Sequence, residues 1–275
     1  MSDKDQYAVF GSPIKHSKSP RIHAFFAQQT GQILDYKSVL VPADAFEVQL
    51  KSFLDGGGRG LNCTVPLKEV AWAYADKKTE RAQLSKAVNT LILQDDGSLL
   101  GDNTDGIGLV TDLQKNNKIQ LKDKRILILG AGGASRGIIG PIQDELPQSI
   151  VIANRTVEKA QVLVDEFSCR GLVSASGYAE LSGLSFDLII NATSASLSGD
   201  LPPLGSGLLN NQGCCYDLAY ANEPTAFVSW SQQQGALKSL DGLGMLIEQA
   251  AEAFYVWRGV RPNTSELIEL LEAER

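Results

Sequence analysis

Few folds are open to a chain that carries RILILGAGGASRG, Arg125–Gly137. Arg125–Leu129 is mostly apolar and partly β-branched, the pattern of a buried strand. A glycine turn and then a helix start follow it. A strand–turn–helix of this kind seats phosphate, because the first N–H groups of a helix lack internal partners and mark its positive end. Gly130 permits the tight turn, and Gly132 leaves room for backbone to approach a pyrophosphate. The helix is expected from Gly130 to about Leu146, with Ala131, Gly133 and Ala134 in its opening stretch. The third position of the G-x-G-x-x-G/A fingerprint is Ser135, small but not glycine. The next strand-like run, Ser149–Ala153, comes at βαβ spacing. Together these predict a dinucleotide-binding domain of Rossmann type; a tight βα turn without a ligand is the plainer alternative.

The end of that second strand decides the cofactor. An acidic residue there would accept a hydrogen bond from a ribose 2′-hydroxyl and favour NAD. Instead the residues are Asn154, Arg155 and Thr156. Arg155 carries a fixed fork of donors suited to a 2′-phosphate, so NADP (NADPH) is expected. Ser185–Asn191, with FDLIIN at its core, is a further strand, ending in NATSAS around Thr193, where small residues let a cofactor lie close. Gly213–Ala219 is another, closed by Tyr220. Pro141 falls inside the first helix of this region and is expected to kink or shorten it.

With 275 residues the chain is long enough for two domains. A net charge of −7 argues against nucleic acid as a partner and leaves small anions open. The opening MSDKDQ is polar and acidic, and no apolar run reaches transmembrane length. A cytoplasmic protein is expected, with no membrane partner. None of the four cysteines forms a C-x-x-C pair, so buried free thiols are expected. His16 and His23 are the only histidines, with no third ligand at a metal-site spacing; no metal is expected, and each reads as a satisfied loop histidine.

The first hundred residues alternate strands and helices, which predicts a small α/β domain of mainly parallel strands. Ser19 reads as the N-cap of a helix beginning at Pro20. Ala43–Leu54 reads as a helix stopped by GGGRG, and Leu61–Val65 as a strand. Lys68 follows in the first turn of the next helix, where it opposes the helix dipole and so is not placed for stability. Asn89 lies in the strand-like Val88–Leu93. In GDNTDGIG, Gly101–Gly108, Asp105 could be no more than a helix cap. Ligands in such folds bind outside the carboxyl ends of strands, and Ser17, Ser19, Thr64, Lys68 and Asp105 all fall there. Near the other end, Leu243–Trp257 is an amphipathic helix and Asn263 with Glu266 a box-like helix start. These helices are expected to return to the first domain, bringing Met245 and Gln249 to the site. The expected division is 1–112 plus 243–275 as a substrate domain, and 113–242 as an NADP domain.

Several motifs in this order resemble the shikimate dehydrogenase family: GSPIKHSKSPRIH, NCTVPLK, AVNT, GDNTDGIG, GAGGASRG with NRT, and GLGMLIEQA. The resemblance covers nearly the whole chain. It implies an α/β protein of two domains, reducing 3-dehydroshikimate with NADPH in aromatic amino-acid biosynthesis. It implies Lys68 and Asp105 as the catalytic pair, and substrate contacts at Ser17, Ser19, Thr64, Asn89, Tyr220 and Gln249. Cofactor contacts fall on Gly130, Ala131, Gly132, Gly133, Ala134, Asn154, Arg155, Thr156, Thr193 and Met245. Ala24, Cys63 and the ANEPTAF segment after Tyr220 depart from the usual pattern.

The residues carry the same chemistry on their own terms. Two serines two apart can reach one carboxylate, and Asn89, Asp105 and Gln249 can discriminate hydroxyls. A lysine beside a strand end can protonate a ketone oxygen as hydride arrives. Rivals are a quinate/shikimate dehydrogenase using NAD as well, a folate-type methylene dehydrogenase, and a non-catalytic sensor of shikimate-type ligands. A monomer or homodimer is expected.

Overall fold

The computed structural model describes residues 4–275, the Leu197 side chain aside. The chain divides into two compact units. One holds the described residues up to Gly108 together with Ile247–Glu274; the other holds Leu109–Leu246 and Arg275. The boundaries fall about one helical turn from those expected, so Met245 belongs to the second unit.

The first unit runs β1 (Asp5–Gly11), α1 (Ser19–Thr30), β2 (Leu34–Leu40), α2 (Phe46–Asp55), β3 (Gly58–Cys63), α3 (Lys68–Tyr74), β4 (Lys77–Lys78), α4 (Glu80–Ser85), β5 (Thr90–Leu93), β6 (Leu99–Asp102) and the start of α5 (Asp105–Thr111). Its strands form one sheet in the order β2-β1-β3-β5-β6-β4. β1 is parallel to β2 and β3, and β4 to β6, but β5 is antiparallel to both neighbours. The short turn after Leu93 imposes this on β5 and β6, since so few residues can join only antiparallel strands. Phe10, Phe46, Leu61, Leu67 and Leu91 share one buried core.

Four local expectations are corrected. Lys18, not Ser19, precedes α1, and no side chain caps it from that position; the Ser17 hydroxyl accepts the Ser19 N–H at 3.3 Å instead. Asp105 does not cap α5 from outside but is its first residue, with its own N–H taken by Asn103 Oδ1 at 3.1 Å. The box-like start at Asn263 is not formed; Asn263 Oδ1 accepts the Ser265 N–H at 2.9 Å ahead of α10 (Ser265–Glu272). GGGRG does not merely stop a helix, because Gly58–Gly60 already belongs to β3.

The second unit continues from the end of α5 with β7 (Arg125–Leu129), α6 (Gly133–Asp144), β8 (Ser149–Ala153), α7 (Val157–Phe167), β9 (Val173–Ser176), β10 (Phe186–Asn191), β11 (Leu209–Asp217), α8 (Ala226–Gln233) and β12 (Lys238–Leu240). The sheet order is β12-β11-β10-β7-β8-β9, with every pairing parallel. That is the doubly wound nucleotide-binding order, with its switch point between β7 and β10. The central strands β7 and β10 are buried on both faces, as an all-parallel sheet requires of its interior. Pro141 stays within α6, one turn from its end. Helix α9 (Leu243–Arg258) crosses the division after Leu246.

Candidate active site

The strongest cluster lies in the first unit, at the ends of β3, β5 and β6. Lys68 opens α3, and its Nζ donates to Asp105 Oδ2 at 2.5 Å. The Asp105 side chain is 1% exposed and that of Lys68 17%, so Lys68 is the more exposed member of the pair. Asp105 Oδ1 accepts from Asn89 Nδ2 at 2.9 Å. The same amide faces Thr104 Oγ1 at 2.9 Å and Gln249 Oε1 at 3.1 Å. Asn89 is oriented from its other end: Oδ1 accepts from the Thr104 N–H at 2.9 Å and from Thr90 Oγ1 at 2.8 Å. Backbone bonds fix the frame, Val88 N to Lys68 O at 2.8 Å and Asn89 N to Asp102 O at 3.0 Å. A buried carboxylate with a charge-assisted partner and a braced amide is a preorganised arrangement.

Gln249 reaches this cluster because α9 lies against α5 with no side chain between them. A Cβ on Gly108 would stand 2.7 Å from both Cβ and N of Gln249. Ser17 and Ser19 follow β1, and Thr64 follows β3. All three are half-buried. Gly11 is required here, since a Cβ would come within 2.4 Å of Thr64 Cγ2. Sequence reasoning does not single out Asn62, which extends the network from Thr90 to the Tyr36 hydroxyl. A lone asparagine within a strand carries no signal of its own.

The second unit presents the nucleotide features. Gly130 has φ +100°, a conformation that favours glycine. Gly132 faces open space, with nothing within 4 Å of a Cβ placed there. Arg136 N donates to Gly132 O at 3.1 Å, so the N–H groups of Gly133, Ala134 and Ser135 precede the first helical bond. Ser135 Oγ donates to Gly130 O at 2.8 Å, which explains serine at the third fingerprint position: it ties helix to turn. Beyond β8, Asn154 Nδ2 closes a turn onto Thr156 O at 2.8 Å and leaves Arg155 exposed. No carboxylate stands at 154–156. An open glycine cradle with a guanidinium at the neighbouring strand end fits a nucleotide bearing a 2′-phosphate. Thr193 lies over Gly130, Met245 is buried, and Tyr220 is half-buried in this unit.

Three family descriptions match: the shikimate dehydrogenase substrate binding domain over residues 9–91, shikimate/quinate 5-dehydrogenase over 112–198, and the shikimate 5′-dehydrogenase C-terminal domain over 242–272. A protein of Methylococcus capsulatus named shikimate dehydrogenase (NADP(+)) is 60% identical over 275 residues, covering 100% of this chain and 99% of its own. The chain belongs to the shikimate dehydrogenase family. Among solved structures, an Ael1 enzyme from Pseudomonas putida is similar at 46% identity and TM-score 0.89, covering 98% of each chain. Shikimate 5-dehydrogenase from Thermus thermophilus, solved in complex with NADP(H) and shikimate, is similar at 34% identity and TM-score 0.87, covering 98% of this chain and 100% of its own.

Two expectations about other reactive side chains change within this family frame. Cys63, Cys214 and Cys215 are buried free thiols, but Cys169 is exposed. Burial pushes the Cys215 thiol up to about 12. His23 is neither in a loop nor satisfied: it lies in α1, fully buried, and neither ring nitrogen has a hydrogen-bond partner. Its ring stacks on Tyr36 at 4.1 Å, and burial pushes its pKa down to about 3, partly offset by the nearby Asn62 side chain. Among the described residues no group of three or more His, Cys, Asp or Glu could hold a metal, and no helix is long and apolar enough to cross a membrane.

Proposed function

We propose that this chain is an NADP-dependent dehydrogenase that reversibly reduces the ring carbonyl of 3-dehydroshikimate to shikimate. The observation that carries the reading is the 2.5 Å Lys68–Asp105 pair, braced by Asn89 and Gln249. When bound, NADPH supplies the hydride for this reduction. Lys68 stabilises the negative charge that develops on the ketone oxygen and delivers the proton to it. In the reverse direction the amine removes that proton. Asp105 aligns Lys68 through Oδ2 and is held by Asn89 through Oδ1, so the amine is kept in one direction. Asn89, Asp105 and Gln249 offer acceptors and donors to adjacent ring hydroxyls, while Ser17, Ser19, Thr64 and Tyr220 bind the rest of the substrate. A site built on hydrogen bonds rejects an analogue lacking a hydroxyl by roughly 10⁴–10⁵.

The cofactor contacts are the N–H groups of the Gly130–Ala134 loop for the pyrophosphate and Asn154, Arg155 and Thr156 for the 2′-phosphate, with Thr193 and Met245 toward the nicotinamide end. The partners are small molecules, the reaction belongs to cytoplasmic aromatic amino-acid biosynthesis, and a monomer or homodimer can perform it. Initial rates test the reading. Turnover of 3-dehydroshikimate with strong preference for NADPH over NADH is expected. Equal use of NADH, with quinate oxidised as fast as shikimate, would favour a quinate/shikimate dehydrogenase. No turnover of any of these by folded protein would overturn the function.

A further inference from the structure

Asp217 ends β11 with its side chain fully buried among polar groups that the reaction does not consume. Its Oδ1 accepts from Asn191 Nδ2 and from the Ala219 N–H, each at 3.1 Å. Its Oδ2 accepts from Ser196 Oγ and Thr225 Oγ1, each at 2.6 Å. These partners lead to different segments. Asn191 Oδ1 receives both the N–H of Thr193, at 3.2 Å, and its hydroxyl, at 2.7 Å. Thr193 in turn lies over Gly130, whose added Cβ would stand 3.1 Å from Thr193 Cγ2. Ala219 immediately precedes Tyr220. Thr225 caps α8 by accepting the Val228 N–H at 3.1 Å, so the altered ANEPTAF segment keeps one anchor although its proline is displaced.

We propose that Asp217 is a positioning residue that fixes the Thr193 loop and the Tyr220 turn relative to each other. One carboxylate accepting four hydrogen bonds does what no neutral side chain of that shape can. An asparagine offers acceptors on one oxygen only, and its NH₂ would face one pair of donors. This inference rests on the proposed cofactor and substrate roles of Thr193 and Tyr220.

Fluorescence titration of the full-length protein with NADPH, and with 2′,5′-ADP as a probe lacking nicotinamide, tests it without turnover. Asp217→Asn is expected to weaken NADPH about 10-fold and to leave 2′,5′-ADP within about 2-fold. In a double-mutant cycle on NADPH affinity, Asp217→Asn and Thr193→Ala should couple by at least about 3-fold. Asp217→Asn and Tyr220→Phe should couple similarly in the KM for shikimate. If Asp217→Asn does not fold, Thr225→Ala takes its place in both cycles, and Thr225→Ser should restore wild-type values. Additive effects in both cycles, or equal weakening of NADPH and 2′,5′-ADP, would overturn the proposal. Failure of the wild type to turn over 3-dehydroshikimate would instead sink the function, and the NADPH cycle would still read out.

Discussion

Among single residues, those around Asp105 matter most to the proposed chemistry. Asp105→Asn keeps the shape but loses the charge that holds Lys68 and an acceptor for either Lys68 or Asn89. We expect kcat/KM for 3-dehydroshikimate to fall by about 10²-fold or more, with NADPH affinity unchanged in binding titrations. Arg155→Ala should raise the KM for NADPH roughly 10–100-fold and barely change that for NADH, since a charge-assisted contact to the 2′-phosphate is lost. Initial rates with both nucleotides check this. Lys68, Asp105 and Arg155 stand out in the sequence because each breaks a local rule: a cation at a helix start, a carboxylate between glycines, an arginine where NAD enzymes keep an acid. Asn62 and Thr90 are not legible. They act through Asn89, and a polar residue that braces another leaves no pattern in a single sequence.

Between helices, the Gln249 contact depends on how closely α9 approaches α5. Gly108→Ala would place a methyl carbon 2.7 Å from Gln249 Cβ and N, where backbone must move. Overpacking of this kind costs about 1–3 kcal/mol. Thermal unfolding should register that loss, and the KM for shikimate should rise while NADPH affinity holds. Helices with a clear period and strands that are short continuous apolar runs are readable from sequence, β7, β8 and β10 above all. The start of β3 is not, because Gly58 and Gly60 read as a turn. A Cβ on Gly60 would meet Trp257 Nε1 at 2.6 Å and Leu91 O at 2.7 Å, so long-range packing, invisible locally, demands the glycine. The short strands escape, β4 because it is only two lysines, and β9 because the four residues VSAS are small and too few to stand out.

For the molecule as a whole, stability carries a signature of His23. Its folded pKa is depressed to about 3, against 6.5 for the free side chain, with burial the main cause. The unfolded chain therefore binds a proton between these values that the folded chain refuses. Stability from this group is complete above about pH 6.5 and is lost as pH falls toward 3. Between pH 7 and pH 4.5 the loss is roughly 2–3 kcal/mol. Urea midpoints at the two pH values measure it, and a His23→Phe variant should show a correspondingly smaller difference; an identical difference would contradict the assignment. The division into two units is foreseeable from the motifs, whereas the points of division are not, since α5 and α9 each run through one without a break in their pattern.

The proposed chemistry stands or falls with Lys68 handling the proton of the reduced carbonyl. The kcat of Lys68→Ala decides it, measured with saturating 3-dehydroshikimate and NADPH on protein whose NADPH affinity matches wild type. A fall of at least about 10²-fold with little change in nucleotide binding is predicted. A kcat near that of the wild type would contradict it.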